Sequence, residues 1–168
     1  MKISNKLITL FNLAVLGALL YPLGRLDLFR ENYSTLSLNS RGYLYLLMLG
    51  TMIGILCSYE TMKIHSKRNG YLVLFSLVLG VIIPHHVPYD LQGNLHLLFA
   101  YSSAFLFCVL TFLNIQADMR HPRLYGVLML GITAIAVSYM KAGMVNCIGE
   151  AALMSVLLFI NWYLYVKR

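Results

Sequence analysis

The chain has 168 residues, of which 60% are hydrophobic and 11% charged, and its net charge is +7. A soluble domain carries about 25% charged residues and about half apolar ones. This balance excludes an ordinary water-soluble enzyme and a disordered chain, and three cysteines exclude a disulfide scaffold. Lipid is therefore the expected surrounding of most of the sequence.

A membrane helix needs about 20 mostly apolar residues to cross about 30 Å of hydrocarbon. Six stretches approach that requirement, in chain order residues 7–24, 42–62, 70–87, 94–117, 124–140 and 147–166. The predicted fold class is thus all-α: a polytopic six-transmembrane-helix bundle in which residues 1–168 form one domain. The first run follows Lys2 and Lys6 in the manner of a secretory signal. It ends at Tyr21-Pro22-Leu23-Gly24 with no small-x-small cleavage pattern, so it reads as an uncleaved first helix. The second run carries Gly50-x-x-x-Gly54, and the fourth Ala100-x-x-x-Ala104. Small residues at this spacing let helix backbones approach closely in lipid, so both pairs mark contact faces inside the bundle. The third run is strictly apolar only from Gly70 to Ile83, roughly 21 Å at 1.5 Å per residue. The expectation is a helix that continues through Pro84 and carries His85 and His86 into the outer part of the membrane. Beyond the first loop the connections are short, so neighbouring helices should be antiparallel.

Orientation follows from Lys and Arg in the loops. With six spans, Lys2, Lys6, Lys63, Lys67, Arg68, Arg120, Arg123, Lys167 and Arg168 share one side, and Arg25, Arg30, Arg41 and Lys141 the other. Both termini are expected to be cytoplasmic, in a bacterial cytoplasmic membrane. The same bias accounts for the net charge, and no nucleic-acid partner is expected.

Ionisable groups inside membrane spans are costly and therefore point to function. Here they gather toward one end: His85, His86 and Asp90 around the third and fourth spans, His96 one turn into the fourth, and Asn146 and Glu150 at the start of the sixth. His96, Ala100 and Ser103 recur at i, i+4 and i+7, one stripe of a helix, so His96 should point inward. Asn146 and Glu150 are four apart and should share a face, with Lys141 nearby as a possible counter-charge for a buried Glu150. His85, His86, Asp90, His96, Asn146 and Glu150 are the candidate ligand-binding residues. Within the cluster, His96 is equally suited to capping a neighbouring helix end. Asn12, Thr111 and Asn114 are expected to make interhelical hydrogen bonds. Glu60, one turn from Lys63, is expected to pair with it. Tyrosines and Trp162 near span ends form an interfacial belt.

Gly80-x-x-x-Pro84, a loop with Asp90, then His96-x-x-x-Ala100 and Phe105 resemble the pattern of a group of small bacterial six-helix membrane proteins. That group is similar in layout to the DRAM, Frag and Sfk membrane proteins, and Glu150 matches the polar residue that often opens their last helix. The resemblance implies a role connected with lipids or membrane stress and supplies no catalytic residue. The inventory of His and acids is also similar to that of the seven-helix hydrolases that include alkaline ceramidases and adiponectin-receptor-like proteins. Their last-helix His-x-x-x-His is here Asn146-x-x-x-Glu150, and a seventh span is missing.

Three readings follow. In the first, a non-enzymatic outward-facing pocket binds or helps move a small polar solute or lipid headgroup, with His96 and Glu150 as proton-sensitive contacts and no cofactor. In the second, the chain is an accessory or structural subunit whose polar cluster contacts a membrane protein partner. In the third, His85, His86 and His96 hold a divalent metal, and Asp90 or Glu150 activates water.

Overall fold

In the computed structural model, residues 4–84, 91–142 and 144–168 are described, and they are helical with no strand among them. Six α-helices run as α1 (Asn5–Leu20), α2 (Ser40–Ile64), α3 (Lys67–Ile82), α4 (Leu91–Ala117), α5 (Arg123–Ala142) and α6 (Cys147–Lys167). Short 3-10 helices, Tyr21–Gly24 and Tyr33–Leu38, lie between α1 and α2. Five of the helices are long and apolar enough to cross a membrane, with α1 counted through Gly24; α3 is the sixth and falls short.

Local sequence sets these boundaries. Ser4, Asn39, Ser66 and Asn146 each take an extended backbone and cap the helix that follows with a side-chain oxygen, which satisfies a backbone N–H otherwise left without a partner. The expected run of the third helix through Pro84 is corrected. Helix α3 stops at Ile82, and Ile83 is extended (φ −97°, ψ 117°), because the ring of a following proline disfavours the α conformation. At 16 residues, α3 spans about 24 Å.

Side-chain contacts fix helix directions. Tyr45 near the start of α2 donates to the Ala18 carbonyl near the end of α1, and Tyr43 donates to the Ile82 carbonyl at the end of α3 (2.7 Å). Trp162 late in α6 donates to Thr9 early in α1 (3.0 Å), so α1 is antiparallel to both α2 and α6. Arg168, following α6, reaches the Lys63 and Ile64 carbonyls at the end of α2. The loop after α1 thus lies at one end of the bundle and the chain's C-terminus at the other.

Glycines mark the tight seams. A Cβ on Gly50 would stand 2.9 Å from both methyls of Val81, and one on Gly54 would stand 3.1 Å from Leu74, so the Gly50-x-x-x-Gly54 face packs α2 against α3. Gly80 meets Ser103 of α4, and Gly149 meets Ser138 of α5. Helix α6 is central, with 50% of its apolar window buried against 22% for α5. Leu10, Leu13, Phe105, Leu130 and Met140 are left more than 60% exposed, as residues facing acyl chains would be.

Candidate functional site

The segment between α1 and α2 folds back over the helix ends rather than projecting away. Asp27 and Glu31 tie it into a compact turn, with the Glu31 carboxylate accepting from the Asp27 backbone N–H (2.6 Å). Asn32 and Thr35 form a reciprocal capping box that starts the 33–38 helix, a standard way of satisfying two free donors. The segment then docks on the start of α6: the Cys147 N–H donates to the Glu31 carbonyl (2.8 Å), and the buried Cys147 thiol lies 3.5 Å from the Leu28 carbonyl.

Below this cap is a partly open cavity of about 230 Å³ lined chiefly by α2, α3, α4, α6 and the 33–38 helix. An engineered apolar cavity of about 150 Å³ admits benzene, so this volume is of a size for a small molecule or part of a larger one. From Tyr43 to Ile53 of α2, both on its wall, the cavity extends about 15 Å along the helix, half the hydrocarbon thickness. Its deeper wall is mainly aliphatic, with Leu49, Ile53, Leu77 and Leu153 beside the Ser103 hydroxyl, whereas Tyr33, Ser34, Ser37, Tyr43, His96, Tyr101 and Glu150 supply the other polar groups.

Glu150 belongs to the first turn of α6, where the helix dipole favours negative charge. Its carboxylate accepts from the Tyr33 N–H (2.6 Å), and the side chain is partly exposed, on the cavity wall. The Tyr33 phenol is buried and donates to the Leu19 carbonyl. Burial holds its pKa above the ordinary value, with nearby Cys147 and Glu150 adding to the effect.

His96 is 5% exposed. Its Nδ1 lies 2.7 Å from the Ile83 carbonyl and its Nε2 2.8 Å from the Ser34 hydroxyl. A carbonyl only accepts, so Nδ1 carries the proton, and in the neutral ring Nε2 accepts from Ser34. His96 therefore joins the end of α3 to the capping segment, the helix-capping role anticipated as its structural reading. It also lines the cavity with Ala100 and Ser103, as the i, i+4, i+7 stripe requires.

The other sequence-derived candidates are placed differently. Asn146 is buried and extended outside α6, accepting from the Gly149 N–H (3.1 Å) while its own N–H donates to Ser138 (3.0 Å). The expected shared helix face with Glu150 is thus corrected, since Asn146 is the cap. With Lys141 and Arg30 it borders a separate surface depression, and no salt bridge joins Lys141 to Glu150 among the described residues. His85, His86 and Asp90 lie outside the described residues. Among those described, no group of three His, Cys, Asp or Glu side chains could hold a metal ion, and of the expected metal set only His96 is described.

A second polar level occupies the other half of the bundle. Asn114 donates to Thr61 (2.8 Å) and Asn161 (2.7 Å), and Asn161 donates to Thr111 (3.1 Å) and to the Leu157 carbonyl (2.8 Å). The expected Glu60–Lys63 pair is corrected: Glu60 is fully buried and accepts from Asn12 (2.8 Å), whereas Lys63 is exposed and sits over the Tyr59 ring. Sequence reasoning missed Asn161, Tyr33 and Ser34. Asn161 was visible as a lone amide within an apolar run, and the Asn32-x-x-Thr35 box was the signal for an ordered cap.

No family model matches the chain, and neither a curated protein nor a solved structure does.

Proposed function

We propose that the chain is a six-span protein of the bacterial cytoplasmic membrane, with both termini cytoplasmic, whose capped cavity binds a small polar solute or the polar end of a lipid without chemical change to it. The concentration of Lys and Arg at the loops on the termini side supports the orientation. The observation that carries the binding reading is the cavity itself, with a carboxylate at its polar end and aliphatic walls below. One Glu150 oxygen is engaged by the Tyr33 N–H, and a carboxylate has further acceptor capacity for a ligand amine or hydroxyl. The aliphatic depth favours a lipid-type amphiphile over a wholly polar solute, because polar groups carried there would lose water without new partners.

Native mass spectrometry of protein extracted in mild detergent tests this reading. Wild type should retain a co-purifying amphiphile, Ala100→Phe should lose it by filling the cavity, and Glu150→Gln should lose preference for amine-bearing heads. The same bound species at the same occupancy in all three proteins would overturn the proposal.

A further inference from the structure

Glu60 stands apart from the cavity. It lies seven residues beyond Ile53 on α2, about 10 Å further along the helix and four residues from its end at Ile64. Its side chain is 0% exposed. Asn12 of α1 donates to Oε1, and Oε2 has no hydrogen-bond partner.

Among the described residues no positive charge faces it. Lys63 sits over the Tyr59 ring, Arg168 is engaged by the carbonyls ending α2, and Lys6, His65, Lys67, Arg68 and Lys167 are exposed. Helix α1 brings the Asn12 amide, and the one basic side chain of α4, His96, is engaged at the opposite end by Ile83 and Ser34, while the other titratable groups of α4, Tyr101 and Cys108, carry no positive charge. The titratable groups within electrostatic reach are Cys57 on the preceding turn and Tyr165 of α6, and neither can carry a positive charge. A bare carboxylate at this position would have one neutral amide donor and no counter-ion, and the cost of desolvating it exceeds what a single neutral donor returns. The unpartnered oxygen therefore identifies where the charge is neutralised. Lys, Arg, Asp and Glu in such positions commonly belong to ion or proton pathways.

We propose that Glu60 is an intramembrane proton-binding site, separate from the cavity, that holds a proton on Oε2. It exchanges that proton with the water at the end of the bundle where α2 and α6 terminate. On release, the O–H bond breaks heterolytically, the proton passes to water or buffer base, and the electron pair stays on a carboxylate held by Asn12. The two titratable levels, Glu150 under the cap and Glu60 beyond the cavity floor, would then lie on opposite halves of the same bundle.

The chain contains three glutamates, Glu31, Glu60 and Glu150, which makes infrared spectroscopy decisive. The full chain carrying carbon-13 glutamate is reconstituted in bilayers and titrated, with Glu31→Gln/Glu150→Gln leaving Glu60 as the only glutamate. That double variant should show the isotope-shifted carbonyl stretch of a protonated carboxylic acid at neutral pH, moved again in D2O and lost at alkaline pH. Adding Glu60→Gln to the double variant should abolish this band, and Glu60→Gln alone should keep the wild-type unfolding midpoint at neutral pH, because the amide preserves the Asn12 contact without charge. Absence of the acid band from the folded double variant at neutral pH, with the band appearing only in strong acid, would overturn the proposal. So would its replacement by a carboxylate band when sodium is added at fixed pH, which would make the occupant a metal cation.

Discussion

Gly50→Ala tests the α2–α3 seam on which the cavity wall depends. The new Cβ would lie 2.9 Å from both Val81 methyls, inside the about 3.5 Å at which carbon–carbon contact becomes favourable. Val81 cannot simply swing away, because a β-branched side chain in a helix has one strongly preferred rotamer. Overpacking of this kind costs about 1–3 kcal/mol, offset by up to about 1 kcal/mol from alanine's better helix propensity. The single substitution should therefore destabilise by about 1 kcal/mol. In a Val81→Ala background the clash is gone and only the propensity gain remains, so Gly50→Ala should become neutral or stabilising. The expected coupling between the two sites is about 1–3 kcal/mol. Denaturant titration in mixed micelles measures it through Trp162, the only tryptophan, which reports on the α1–α6 contact at Thr9. Additivity within about 0.5 kcal/mol, as for independent sites, would show that the two residues do not touch as described.

Three further outcomes are expected. Combining Ser34→Ala with His96→Leu removes the tie between α4 and the capping segment, so maleimide labelling of Cys147 should accelerate several-fold in a Cys108→Ser background while Cys57 stays protected; an unchanged Cys147 rate would show that this tie does not hold the cap. Asn161→Leu removes both donor contacts of that amide and should lower stability by about 1–2 kcal/mol, since interhelical hydrogen bonds in bundles average about 0.6 and reach about 1.7 kcal/mol; the same unfolding titration checks it. Hydrogen bonds from Arg120 hold the Asp118 carboxyl at about 2, below the usual 3.8. Because the folded pKa is depressed, the contact stabilises above about pH 4 and its contribution disappears as pH falls toward 2. Wild type and Arg120→Ala should therefore differ in stability at neutral pH and converge in acid, a difference absent at both ends if the pair contributes nothing.

The all-helical fold was legible because a membrane helix announces itself by a long apolar run, a signal independent of partners. Five of the helices fall within a few residues of the stretches read from the sequence, whereas α3 ends at Ile82, five residues short of the expected limit. The Gly50/Gly54 face and the inward stripe of His96 were legible for a related reason, since helical periodicity alone places them on a face. What a face meets is not periodic information. Glu60 has Lys63 one turn away in sequence, which on an exposed helix would make a pair, but here the face bearing Glu60 is the one that α1 covers. Asn146 and Glu150 have helical spacing, yet a residue's place in the helix register says nothing about whether the helix has begun, and Asn146 is more useful as a cap. The 33–38 helix was invisible to a search for apolar length, and it supplies three of the cavity's polar residues, Tyr33, Ser34 and Ser37.

The shortness of α3 and the position of the cavity have one cause. Proline at 84 ends the helix at Ile82, so its last carbonyls are left inside the bundle end, where an unpaired polar group is costly. Tyr43 from α2 satisfies the Ile82 carbonyl and His96 from α4 the Ile83 carbonyl. The same two side chains border the cavity. His96 uses its other ring nitrogen for Ser34, and the adjacent Tyr33 N–H reaches Glu150. A full-length third helix would supply its own hydrogen bonds at that level and leave His96 without a carbonyl to cap. The broken helix thus accounts for a buried histidine, an ordered cap and a carboxylate facing an apolar cavity through one set of backbone groups that needed partners.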